Sequence, residues 1–95
     1  AVSQQAERET VAVTLCRNQA ERLRAGVFPE LDTKLYYKDT LEECTQEQGA
    51  YYVIVTGTRT ATGAGELFEG TVTAYSAQNQ AIYSLDTAVY LPEGR

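Results

Sequence analysis

The run Ala50-Tyr51-Tyr52-Val53-Ile54-Val55-Thr56-Gly57-Thr58-Arg59 is built almost wholly from aromatic and β-branched residues, the types that fit a pleated, half-covered surface. Read at period two, Tyr51, Val53, Val55 and Gly57 share one face, and Tyr52, Ile54, Thr56 and Thr58 the other. On its C-terminal side, residues 60–65 read as a turn, and residues 66–76 resume the alternation with Phe68, Gly70, Val72 and Ala74 inward. After a second turn at 76–80, residues 81–91 set Tyr83, Leu85 and Val89 inward against Ser84 and Asp86, and Pro92 ends the strand. On the N-terminal side, Leu31, Thr33, Leu35 and Tyr37 alternate with Asp32, Lys34, Tyr36 and Lys38 as a first strand. An acidic connector over 39–49, with Glu42, Glu43 and Glu47, has no period and reads as a loop. Short links between the last three strands predict an antiparallel meander. Gly57 and Gly70 both fall inward, where a missing side chain is expected to let a helix approach closely.

That helix is read from residues 2–25. Val2, Ala6, Glu9, Val13, Cys16, Ala20, Leu23 and Val27 recur at spacings of three and four and build one stripe. Gly26 and then Pro29, after Arg22 and Arg24 in the last turn, signal the stop. The start is poorly signalled, with Ser3 as its only capping candidate. About 24 residues make a helix about 36 Å long, so part of it is expected to project beyond the sheet. Val11 and Leu15 fall about opposite the stripe, and with Arg8 and Arg22 they are expected to form an outer face for a partner. The fold class is therefore α+β, one long N-terminal helix across a four-stranded antiparallel sheet, in a single domain over 1–95 with the helix within 1–26 and the connector and sheet within 30–95.

Composition limits what such a domain can do. The 95 residues fit one small core. His, Trp and Met are absent, which removes the commonest general base and metal ligand. The net charge is −5, with residues 1–29 at +1 and residues 30–95 carrying the remaining −6. Such a balance repels phosphate backbones and anionic membranes, so nucleic acid is not expected as a partner. The apolar stretches are a few residues long, as at Ala50 to Val55, far short of the ~20 needed to cross a bilayer. The chain begins without Met or a signal-peptide pattern, so residue 1 reads as a processed or shortened end and any membrane anchor as upstream of it.

Cys16 and Cys44, the only cysteines, stand 28 positions apart with no CxxC. They read as an intrachain disulfide, worth about 3 kcal/mol in the chain-entropy model, or else as two small buried thiols. The Thr- and Tyr-rich, Lys-poor composition fits an exported chain, where a disulfide persists.

No motif points to chemistry. Gly63-Ala64-Gly65 has no Lys and joins two strands instead of opening a helix. Asp39, Glu42, Glu43 and Glu47 lack the spacing and glycine of a calcium loop. Glu66, Glu69 and Asp86 fall on or near a wet, Thr-rich face, and Ser76 and Ser84 have no His to activate them. No enzyme activity, metal or cofactor is expected. Tyr36-Tyr37 and Tyr51-Tyr52 must each send one ring to the outer face of the sheet, which suits a protein interface.

The stretch Ala1-Val2-Ser3-Gln4-Gln5-Ala6-Glu7-Arg8, running on through Ala20-Glu21-Arg22-Leu23, resembles the polar second half of the helix in a type IV pilin or type II secretion pseudopilin. The element order over the whole chain is similar to that family's soluble part. The resemblance implies a non-enzymatic structural subunit of an extracellular or cell-surface pilus or pseudopilus, or a periplasmic one. It would assemble as a homo-oligomer or filament with related subunits and meet the membrane only through a segment missing from this chain. The family's leader-peptidase site, Phe and apolar run would precede Ala1. Many pilins close a C-terminal loop with their disulfide, whereas a Cys16–Cys44 bond would tie helix to connector. The alternative is an exported cystatin-like or NTF2-like binding or inhibitor module, which also wraps an antiparallel sheet around a helix.

Overall fold

The computed structural model describes residues 4–93. Its first element, α1 (Gln4–Arg24), ends as Gly26 announces. Gly26 takes a φ of 83°, a left-handed conformation that glycine adopts without steric cost. Its N–H reaches the carbonyl of Leu23 at 3.0 Å, and the Val27 N–H reaches that of Arg22 at 2.8 Å. These are the paired bonds of a Schellman stop. The expected start at residues 2–3 lies outside the described residues.

The strands β1 (Leu35–Tyr37), β2 (Tyr51–Thr62), β3 (Gly65–Ser76) and β4 (Ala81–Pro92) form one antiparallel sheet in the order β1-β2-β3-β4. A short 3₁₀ turn, Gln46–Gln48, interrupts the acidic connector. The protein is an α+β fold with its helix packed on a four-stranded antiparallel sheet. Pairing of Val53 with Ala74 and of Ala74 with Tyr83 aligns the inward residues across three strands. The helix and the inner sheet face share one core of Ala12, Leu15, Cys16, Leu23, Tyr37, Tyr51, Val53, Val55, Phe68, Val72, Ala74 and Val89.

Four details depart from the sequence reading. The first strand is only Leu35–Tyr37, because Asp32 turns the chain with a φ of 61° and the Thr33 hydroxyl donates to the Glu30 carbonyl at 2.8 Å. Phe28 and Leu31 fold back onto the core, and the Asp32 N–H bonds the Val55 carbonyl at 2.9 Å. At the first hairpin, β2 runs on to Thr62, leaving only Gly63 and Ala64 as the loop. Gly57 and Gly70 face each other across β2 and β3, but the room they leave is taken by Phe68 and not by the helix. A Cβ added at Gly57 would come within 2.7 Å of the Phe68 ring, and one at Gly70 within 2.6 Å. Phe68 in turn meets Phe28 edge to face at 5.0 Å.

The helix is also rotated from its expected setting. Its buried residues are Ala12, Leu15, Cys16, Gln19, Ala20 and Leu23, so the buried stripe is centred near Gln19, which is only 4% exposed. Glu9 is exposed, Val13 half-buried and Val27 58% exposed, so the expected stripe is displaced to one flank.

Candidate functional site: the open face and free edges of the sheet

The face of the sheet away from the helix carries a row of three tyrosines in direct register, Tyr36 beside Tyr52 beside Tyr75. Period-two alternation places Tyr37 and Tyr51 on the helix side and their neighbours Tyr36 and Tyr52 on the other. The Tyr52 and Tyr75 rings stack at 4.8 Å with 10° between planes, and Tyr36 tilts against Tyr52 at 5.8 Å. Lys34 Nζ lies 4.8 Å from the Tyr52 ring centroid, and the Tyr52 hydroxyl donates to Asn79 Oδ1 at 2.9 Å. Tyr52 is left only 5% exposed although no helix covers it. Its ring faces are already occupied by the other rings and the ammonium, so the row pins three strands and the β3–β4 turn together. It offers no flat platform for a ligand.

Beyond the row the open face is polar. The Thr71 hydroxyl donates to Asp86 Oδ1 at 2.9 Å, and the Thr73 and Ser84 hydroxyls share a hydrogen bond at 3.0 Å. Two other edges of the sheet are unpaired. Because β1 is short, β2 is flanked on that side only at Tyr51–Val53, with one further bond from Asp32. Among the described residues β4 pairs only with β3, along its length apart from a bulge at Ile82.

The expected Cys16–Cys44 disulfide is not present, and both thiols are free. Cys16 Sγ contacts the carbonyls of Val72 at 3.7 Å and Tyr83 at 3.9 Å, on β3 and β4. Cys44 instead bonds through its N–H to the Tyr36 carbonyl on β1. β1 and β3 are two strand spacings apart, about 10 Å, beyond the reach of a disulfide. Burial holds the Cys16 thiol up at about 11, against 9.0 for a free thiol, with a backbone hydrogen bond from Ala74 offsetting part of the rise.

The expected outer face also changes. Leu15 is a core residue, 4% exposed, and Val11 packs against the core. Arg22 hydrogen-bonds the Tyr37 hydroxyl, whose pKa is raised by burial first and by Glu43 second, with Arg22 opposing. Arg8 faces Tyr51, whose pKa is raised mainly by burial, and lines a groove with Glu7, Val11, Asp39 and Thr40. Thus the four residues named for assembly lie on the flank of α1 turned toward β1 and β2 and do not form a surface opposite the core.

Glu66 pairs with Arg59 at 2.8 Å, and the Arg59 guanidinium lies 4.8 Å from the Phe28 ring centroid. Lys38 and Glu42 form an exposed pair at 3.9 Å. Among the described residues no group of three or more His, Cys, Asp or Glu could hold a metal ion, and no helix is long and apolar enough to cross a membrane. Phe28 and Asn79, which seat Arg59 and Tyr52, were outside the sequence reading. The only signal available was their position in or beside turns. Comparison with known proteins gave no match to a family model, a curated protein or a solved structure.

Proposed function

We propose that this domain is a non-enzymatic assembly subunit, pilin-like in plan, that joins a filament or related oligomer at the cell exterior. The observation that carries the reading is the division of α1. Six residues between Ala12 and Leu23 are buried, whereas none of residues 4–10 is. The first two turns of the helix therefore add little to the domain's own core. A short helical stretch without tertiary support is marginal in water, and a neighbouring subunit would supply that support. With Leu15 in the core, the assembly contacts fall to residues 4–10 and to the outward row of Thr14, Arg17, Asn18 and Glu21. With both thiols free, location outside the cell rests on the Thr- and Tyr-rich composition alone.

The second reading, an exported cystatin-like or NTF2-like binding or inhibitor module, is favoured by the polarity of that helix start. Gln4, Gln5, Glu7, Arg8, Glu9 and Thr10 need no cover. A photo-crosslinking residue placed at Glu7 or at Asn18 in the natural gene product separates the two. A ladder at multiples of the subunit mass is the expected result. A single adduct with an unrelated protein supports the second reading, and no adduct at either position from cells making the protein overturns the first.

A further inference from the structure

Among the described residues, β4 from Ala81 to Pro92 pairs with β3 on one side, Ile82 bulging from the ladder, and has no strand on the other. The direction of its unused backbone groups follows from one bond. The Glu93 N–H donates to the Ala64 carbonyl at 2.7 Å, next to the Gly65–Pro92 pair. Antiparallel bonding alternates, so odd-numbered residues from Tyr83 to Leu91 bond inward to β3. The N–H and C=O groups of Ser84, Asp86, Ala88 and Tyr90 then point away from the sheet. Natural edges are usually blunted by Lys, Pro, a bulge or a covering loop. Here Ala81–Leu91 has no Lys, Arg or Pro, and its one bulge, at Ile82, sits at the start of the strand. Its single charge, Asp86, already accepts the Thr71 hydroxyl on the open face. The free part of β2 is better guarded, by Arg59 and by the Asp32 N–H on the Val55 carbonyl.

We infer that β4 is a homodimerisation edge, pairing antiparallel with β4 of a second copy about a two-fold axis at Thr87. A second copy is favoured because the strand reads nearly the same in both directions about that residue. On the helix side half-buried Leu85 meets Val89, itself 4% exposed, and half-buried Tyr83 meets half-buried Leu91, so apolar positions meet their like. On the open side Ser84 meets Tyr90, itself 49% exposed. Asp86 meets Ala88, so the one charge never faces itself. The acidic connector, with Asp39, Glu42, Glu43 and Glu47, lies beyond β1 at the opposite edge of the sheet. Two copies of a −5 chain thus meet along their least charged border. The inference does not depend on the filament reading, since the dimer would form with or without a longer assembly.

Sedimentation across a concentration series tests it. The unaltered chain is expected to show a monomer–dimer equilibrium. Ala88→Pro removes an outward N–H without touching the β3 ladder and should leave a folded monomer. Ala88→Asp sets two carboxylate pairs against each other and should weaken the dimer about tenfold, whereas Ala88→Lys faces Asp86 and should tighten it. Thr87→Cys in a Cys44→Ser background should oxidise to a covalent dimer, because cross-axis residues in a non-hydrogen-bonded pair stand close enough for a disulfide. Circular dichroism checks each fold, and the two charge variants decide the matter if the proline variant does not fold. A chain that stays monomeric at all concentrations overturns the inference. So does a dimer indifferent to both charge changes, or a foreign strand recovered in crosslink at Thr87→Cys in place of the second copy.

Discussion

Cys16 keeps its proton to about pH 11 in the folded chain, because an ionised thiol facing strand carbonyls in the core has no water around it. Below pH 9.0 both folded and unfolded thiols are protonated, and Cys16 adds no pH dependence. From there toward pH 11 the unfolded chain releases the proton and the native chain does not, so stability falls through that window. Tyr37 and Tyr51, both raised chiefly by burial, act in the same direction. Urea midpoints should therefore drop between pH 9 and 11, and Cys16→Ala should flatten part of the slope. The same burial predicts that a thiol reagent labels Cys44 and spares Cys16 until the protein unfolds. Leu15 belongs to the same core. Leu15→Ala should cost about 2–5 kcal/mol by urea titration, and Leu15→Asp should abolish the fold, because it leaves an uncompensated buried charge. An outer-face residue would tolerate either change.

At the scale of elements, the strands were legible in sequence and the helix setting was not. A strand's faces follow from parity alone, so Val53, Val72 and Tyr83 could be placed without knowing what covered them. A helix face must be judged by side-chain character, and the buried Gln19 stands where a polar residue reads as a boundary. The stripe read from sequence runs through Glu9, Val13 and Val27 and turns Leu15 outward, whereas the buried stripe is centred near Gln19 and takes in Leu15. The first strand was overread for a different reason. Leu31 and Thr33 keep the alternation, but the left-handed Asp32 between them breaks the strand. That Tyr36, Tyr52 and Tyr75 share the open face follows from parity, but their alignment in one row and their stacking do not, because register and ring orientation are not readable from the alternation. The Gly57–Gly70 pair makes a further prediction. Phe68→Ala should cost about 3–5 kcal/mol by removing the ring that fills both glycine positions. Gly57→Ala should also destabilise, its methyl meeting the Glu69 carbonyl at 2.5 Å and the same ring. Denaturant unfolding of the two variants and their double mutant should show strong non-additivity.

Over the whole molecule, cover is uneven along a sheet whose three long strands run about 40 Å. Side chains from Thr56 to Thr62 are exposed, while Tyr51–Val53 and Val55 are buried. Hydrogen exchange should accordingly find the amides of Gly57, Arg59 and Ala61, which point to the free edge of β2, fast, and those of β3 between Val72 and Ala74 the slowest. The two described ends also lie far apart on the long axis, in a molecule 51 Å by 26 Å by 19 Å. The start of α1 lies by the β3–β4 turn, where Gln5 and Glu9 line a hollow with Gln80 and Ile82, and Glu93 bonds Ala64 at the other end of the sheet. Tension applied between these ends would drag β4 lengthwise along β3. The bonds of that ladder run across the pull and must shear as a group, since no single pair can unzip ahead of the rest. A domain threaded this way resists stretching far better than its modest core implies. Pulled in single-molecule force measurements from its ends, it should yield at higher force than when pulled from Tyr51 and Ser76, the pair at the open end of the β2–β3 hairpin, whose ladder then unzips one bond at a time.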